Sequence, residues 1–194
     1  MKTDKHSPLK KNGHRHDRHV ARIAAVQALY QIEQVQIKAS VVIKEFIEHR
    51  FAIGLDQKKA IKVDHILFAN LVELAETRVE DIDPIISGAL SQDWSLPRLE
   101  FLLRAILRAG CAEMLLDKGT PILVIINEYV TVTHEFYAGK EPGFVNGILN
   151  QIARTLGLIA QSEDHAKAAP EVVNLLKDPK TTEAITWEDE GGAP

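Results

Sequence analysis

Apolar residues recur at every third or fourth position through most of this 194-residue chain, and that period commits it to helices. HVARIAAVQALYQIEQV, within Asp17 to Val35, is apolar nearly all round and reads as a central, largely buried helix. Ser40 heads a shorter helix through Phe51. Ile61, His65, Phe68, Val72 and Ala75 mark an amphipathic helix over Lys58 to Thr77, and Glu80 to Leu90 makes another with Pro84 in its first turn. Ser95 and Pro97 open a helix that runs to about Asp117 and stops at Gly119, after which Thr120 as cap and Pro121 at the first helical position restart the chain. ILVIINEYVTVTHEF is rich in β-branched residues, yet Ile122, Ile125, Ile126, Tyr129, Val132 and Phe136 keep helical spacing over a stretch too long for a typical strand. A loop over Gly139 to Gly143 leads to a closing helix that ends near Gly157. The expected fold is all-α, a compact bundle of six to seven helices.

Length and composition set the outer limits. A chain of this size buries a full core without metals or disulfides, and 45% hydrophobic against 26% charged residues is a globular balance. No apolar run is long enough to span a bilayer, and the amino end, MKTDKHSPLKKNGHRHDRHV, lacks the apolar centre of a secretory signal, so a cytoplasmic address is expected. Cys111 is the single cysteine and has no intramolecular disulfide partner.

Charge divides the chain. Residues 1–22 hold seven Lys/Arg against two acids, whereas residues 161–194 hold three Lys against eight acids, a swing from +5 to −5. A basic arm on an acidic body suits a local anionic partner such as nucleic acid. The sequence therefore divides into a disordered basic arm over 1–16, a helical domain over 17–160, and an acidic, mostly disordered tail over 161–194 with a short helical pattern at Glu171 to Lys177.

Nothing in the sequence supports catalysis. There is no Gly-rich phosphate loop, GxSxG or HExxH, and Cys111 lies in RAGCAEML with no base nearby. His14, His16 and His19 have metal-like spacing but no accompanying carboxylate set, so neither a metal nor a cofactor is expected.

Binding has better candidates. Glu113 shares a helical stripe with Leu102, Ile106 and Gly110, where a carboxylate needs a partner to offset desolvation; Arg22 is one candidate, in a structural pair. Arg104 and Arg108, one turn apart, read either as phosphate ligands or as a solvated face. In the closing helix Asn146, Asn150 and Arg154 form a polar stripe, and Gly147 leaves the backbone bare beside it for another backbone to approach. Phe144 either packs into the core or offers a ring on which an unpaired base stacks.

Taken in order, Ala21-Arg22, AVQALY (25–30), Leu107-Arg108, Ile126-Asn127-Glu128 and Phe144-Val145-Asn146-Gly147 resemble the NusB family of transcription antitermination factors, over roughly Arg18 to Gly157. The resemblance implies two helical subdomains that bind boxA single-stranded RNA together with the ribosomal protein NusE, within a complex that keeps RNA polymerase elongating during ribosomal RNA synthesis. By it, Arg15, Arg18, His19 and Arg22 contact RNA; Tyr30, Arg108 and Phe144 face RNA; and Asn146 lies at the same edge. Arg104, Lys140 and Glu141 are assigned to the protein partner, Glu113 and Gly147 to structural support. The arm departs from the family's arginine run, reading RHDRHVAR with Asp17 and two histidines inside it. Two rivals stand beside this reading. The fold also resembles the amino-terminal domain of an RNA cytosine methyltransferase, which needs a Rossmann-like half and a catalytic cysteine that these residues do not supply. A helical interaction or homodimerisation module is the other.

Overall fold

In the computed structural model, residues 9–52, 62–116 and 119–160 are described, with the backbone alone given for 9–14. Seven α-helices appear among them: α1 (Leu9–Val35), α2 (Ala39–Glu45), α3 (His65–Thr77), α4 (Val79–Ala89), α5 (Phe101–Leu116), α6 (Ile122–Phe136) and α7 (Glu141–Thr155). A π-helical turn, Phe46–Arg50, extends α2, and a 3-10 turn, Leu96–Arg98, precedes α5. None of these helices is long and apolar enough to cross a membrane.

α5 is the axis of the bundle. It is buried almost throughout, from Arg104 to Leu115, because Ala105, Ala109, Gly110 and Ala112 let neighbours approach it on several sides. α1 and α3 pack on one side, with α2 against both, and α4, α6 and α7 pack on the other. α6 lies between α1 and α7, touching both. Gly110 shows how tight the packing is: an added Cβ would sit 2.9 Å from Leu149 Cδ2 and 3.4 Å from Tyr129 Cγ. Both of those side chains are wholly buried and have no room to withdraw.

Several boundaries differ from the sequence expectation, each for a local reason. α1 starts at Leu9 rather than near Asp17, so the expected arm over 1–16 is helical from that residue; once the packed part of a helix is nucleated, adding residues at its end is easy. α3 starts at His65, where the Asp64 carboxylate accepts the Leu67 N–H at 2.9 Å. α2 is preceded by Lys38 without a side-chain cap, so Ser40 is not the capping residue. Pro84 is the sixth residue of α4, where it leaves the Glu80 carbonyl without its usual donor. Pro121 rather than Thr120 is the residue before α6, and Gly143 lies within α7, whose first turn begins at Glu141. The expected tail and its short helical pattern lie outside the described residues.

The Asp64 cap leads to a direct prediction. Asp64→Ala is expected to cost about 1 kcal/mol, read as a lower urea midpoint with unchanged slope; no shift of the midpoint would show that the cap does not hold α3.

Candidate nucleic-acid interface

The amino-terminal half of α1 carries its cations in a row over two carboxylates. At the centre Arg22, 3% exposed, donates through Nε to Glu113 Oε2 at 2.8 Å and through Nη2 to Glu113 Oε1 at 2.6 Å, a two-pronged pair between α1 and α5. Its Nη1 reaches Glu128 of α6 at 3.1 Å. Burial opposes charge on this guanidinium, but the bonds and charges of Glu113 and Glu128 outweigh it and raise the pKa, so Arg22 stays cationic. Tyr129, wholly buried, lies beside Glu113 without a well-formed hydrogen bond; burial and then that negative charge push its pKa well up.

Outward from this centre the contacts loosen. Arg18 approaches Glu113 at 3.4 Å, and the His19 ring Nδ1 lies 3.2 Å from Glu128 Oε2. Arg15 touches Glu128 only at 3.8 Å, with 78% of its side chain exposed.

Two of the remaining expected RNA-facing residues, Tyr30 and Phe144, lie toward the start of α5. Phe144 packs on the exposed Trp94, ring centroids 5.7 Å apart. Tyr137 donates to Glu100 at 2.9 Å, and its pKa is raised by burial, then by that bond and by nearby charge, including Tyr30. Tyr30, Trp94 and Phe101 are all substantially exposed. The two groups stand at different levels of the bundle. Leu149 packs at Gly110 and Phe144 packs at Trp94, ahead of α5, so α7 runs alongside α5 in the same direction; Phe144, five residues before Leu149, falls about 12 Å along the axis from the level of Glu113. It packs on Trp94, while α6 touches both α7 and α1.

Arg104 and Arg108 are not a free phosphate-binding pair. Arg104, 7% exposed, donates through Nη1 to the carbonyls of Leu96, Pro97 and Leu99 at 3.0–3.3 Å. It also pairs with Glu33 at 2.9 Å and lies over the Phe101 ring. These bonds explain why α5 starts at Phe101: Leu99 is extended, and the guanidinium takes carbonyls that a helix begun at Ser95 would have used. Arg108 makes a two-pronged bond to Asp83, 2.7 Å on each side, and reaches Glu33 at 3.2 Å. Desolvation works against its charge, but these acids raise its pKa on balance.

The other expected residues are placed simply. Asn146 is exposed on α7 and accepts the Asn150 amide at its backbone O and its Oδ1. Gly147 has nothing within 4 Å of where a Cβ would sit, so packing does not require glycine there, and the structural role expected of it is corrected. Lys140 is exposed ahead of α7, and the Glu141 carboxylate curls over Gly139. Cys111 is wholly buried and its thiol is pushed up to about 12, which fits packing rather than reactivity. Glu128, Glu33, Asp83 and Trp94 were not among the expected site residues. Glu128 alone had a local signal, as the one carboxylate that α6 holds a turn after Val124 beside buried Ile125 and Tyr129.

The NusB family model matches residues 19–154. A transcription antitermination protein NusB of Granulibacter bethesdensis is 41% identical over 144 residues, 72% of this chain and 88% of its own length. Another from Gluconobacter oxydans is 44% identical over 146 residues, 74% and 90% of the two chains. Among solved structures, T. maritima NusB matches with a TM-score of 0.58 at 30% identity, covering 71% of this chain and 90% of that one. The antitermination factors NusB and NusE, solved in complex with double-stranded RNA, include a chain matching with a TM-score of 0.58 at 25% identity, over 76% of this chain and 98% of that one. The matched region takes in His19 and Arg22 of the α1 row, α5 and the Phe144 turn, and the chain belongs to the NusB family.

Proposed function

We propose that this protein is a transcription antitermination factor that acts by binding, without catalysis. It joins boxA-type single-stranded RNA together with ribosomal protein NusE and supports ribosomal RNA transcription within the RNA polymerase antitermination complex. The observation that carries this reading is the graded cation row of α1, anchored by buried Arg22 and ending in exposed Arg15. Arg15, Arg18 and His19 take phosphates, for which their long contacts to Glu113 and Glu128 can be exchanged at little cost. Arg22 holds the row in place from beneath. Tyr30 and the Phe144–Trp94 pair offer rings for unstacked bases, with Asn146 at their edge. Lys140 and Glu141 remain the candidates for the protein partner. Arg104 and Arg108 are left out, since their donors are already engaged inside the bundle.

Fluorescence anisotropy with boxA-type and scrambled RNA, with and without NusE, tests this across salt concentrations. Arg15→Ala combined with Arg18→Ala is expected to weaken binding and to reduce the slope of log affinity against log salt by about 1.4, or ~0.7 for each lost phosphate contact. Circular dichroism checks that the variant is folded. An unchanged slope, or equal affinity for scrambled RNA, would leave the interaction-module reading in its place.

A further inference from the structure

We propose that the acidic carboxy-terminal segment, residues 161–194, folds back over the outer face of α6 and onto the α1 cation row, covering the surface that RNA would take. Its regulatory meaning rests on the function proposed above; the docking itself does not.

The argument begins where the described chain ends. α7 runs parallel to α5 and therefore finishes near the carboxy-terminal end of α5, the same end at which Arg22 meets Glu113. There the backbone turns. Gly157 adopts φ 68°, the left-handed region, and Leu158 N–H donates to Ala153 O at 2.9 Å, closing the helix and releasing the chain. The acidic segment thus leaves the bundle at the end where the basic arm enters.

Between these two points three apolar side chains are exposed. Leu123 is 59% exposed and Val124 39%, both in the first turn of α6, and Leu158 is exposed just past α7. Val124 sits one helical turn before Glu128, on the flank of α6 that faces α1. Cations border the patch on both sides: Arg15, Arg18 and His19 on α1, and on α7 the half-buried Arg154, which makes no ion pair among the described residues. An occupant of this surface needs apolar side chains in its middle and acids around them.

Residues 161–194 have that composition. Val172, Val173, Leu175 and Leu176 stand at the spacing of one helical face, Glu171 and Asp178 flank them, and Trp187-Glu188-Asp189-Glu190 follows. The segment's net charge of −5 matches the +5 of residues 1–22. Reach is sufficient: from α7 across α6 to α1 is two interhelical spacings, about 20 Å, and a coil of the 27 residues from 161 to 187 spans about 29 Å on average. Tethering gives such a segment an effective concentration on the order of millimolar, enough for a weak contact to be occupied.

The test uses the full chain carrying a nitroxide spin label at Ala184→Cys, since buried Cys111 is inaccessible to the reagent. Relaxation enhancement is expected at the amides of Arg15 to His19 and Leu123 to Asn127, and is expected to vanish above about 0.5 M salt or when Glu188→Gln, Asp189→Asn and Glu190→Gln are combined. In low salt that triple variant is expected to bind boxA-type RNA about fivefold more tightly than the parent, with the difference gone at high salt. No enhancement on the bundle, or enhancement centred on Trp94 and Phe101, overturns the docking. Enhancement transferred from labelled to unlabelled copies assigns the surface to a second molecule and overturns it equally. Docking with unchanged RNA affinity removes the competition. Failure of every variant to bind RNA overturns the proposed function, while the relaxation measurement still decides the docking.

Discussion

Glu113→Ala is expected to lower the free energy of unfolding by about 3–5 kcal/mol, because it strips a buried guanidinium of its two-pronged partner. Arg22 is 3% exposed and cannot swing into water, and the remaining Glu128 contact at 3.1 Å satisfies only one of its nitrogens. Arg22→Ala should cost a similar amount for the reciprocal reason, leaving a carboxylate with no exposed surface beside Tyr129. The informative variant combines Arg22→Met with Glu113→Leu. Replacing both charges with apolar groups of similar size should recover most of the lost stability, and RNA affinity should stay near the parent's if Arg22 only supports the row. Urea unfolding of the two single variants and the double, followed by anisotropy on the double, makes the measurement. Single substitutions that cost less than about 1 kcal/mol would mean that the pair does not join α1 to α5. Full stability with lost affinity in the double variant would move Arg22 to the RNA.

Arg104→Ala is expected to be the second large effect, about 2–4 kcal/mol, through a different mechanism. Here one guanidinium satisfies three backbone carbonyls of an irregular connection, pairs with Glu33 and covers the Phe101 ring. Lysine should rescue little, since an ammonium cannot supply the planar fork that spans these acceptors. The loss should be felt first in the connection that carries Trp94. Amide hydrogen exchange at Trp94, Arg98 and Leu99, whose N–H groups bond to Ser91, Ser95 and Leu96 carbonyls, should quicken well before the rest of the bundle opens. Uniform protection with unchanged stability would show that the turn holds itself without Arg104. Because Trp94 packs on Phe144, the same variant should also weaken RNA binding with little change in salt slope.

The helices were largely legible because their cause is local. The β-branched run of α6 keeps a helical period, and its buried residues Ile125, Ile126, Tyr129 and Val132 belong to the set that the period selects. The need of Glu113 for a partner was equally legible: a carboxylate inside an apolar stripe of α5 has to be paired, and Arg22 lies in the other helix that is apolar nearly all round. Helix ends were less so. Whether Ser40, Asp64 or Thr120 caps a helix depends on where the preceding chain is held, and for Asp64 that includes the bond from its own N–H to the Asp17 carbonyl of α1.

By itself, then, the sequence determined the all-α class, the family, the polarity of charge from one end to the other, and the demand for one buried ion pair, all of which follow from periodicity, order and burial along a single helix. Only the tertiary structure decided which arginines are available. Arg15, Arg18, Arg22, Arg104 and Arg108 look alike as letters, yet one is 78% exposed, another lies over Glu113, and two are spent on Glu33, Asp83 and backbone carbonyls. Glu113 stands 95 residues from Arg18, and Glu128 stands 106 from Arg22, along the chain, and the energy of a charge is set by distance and solvent in space rather than by spacing in sequence.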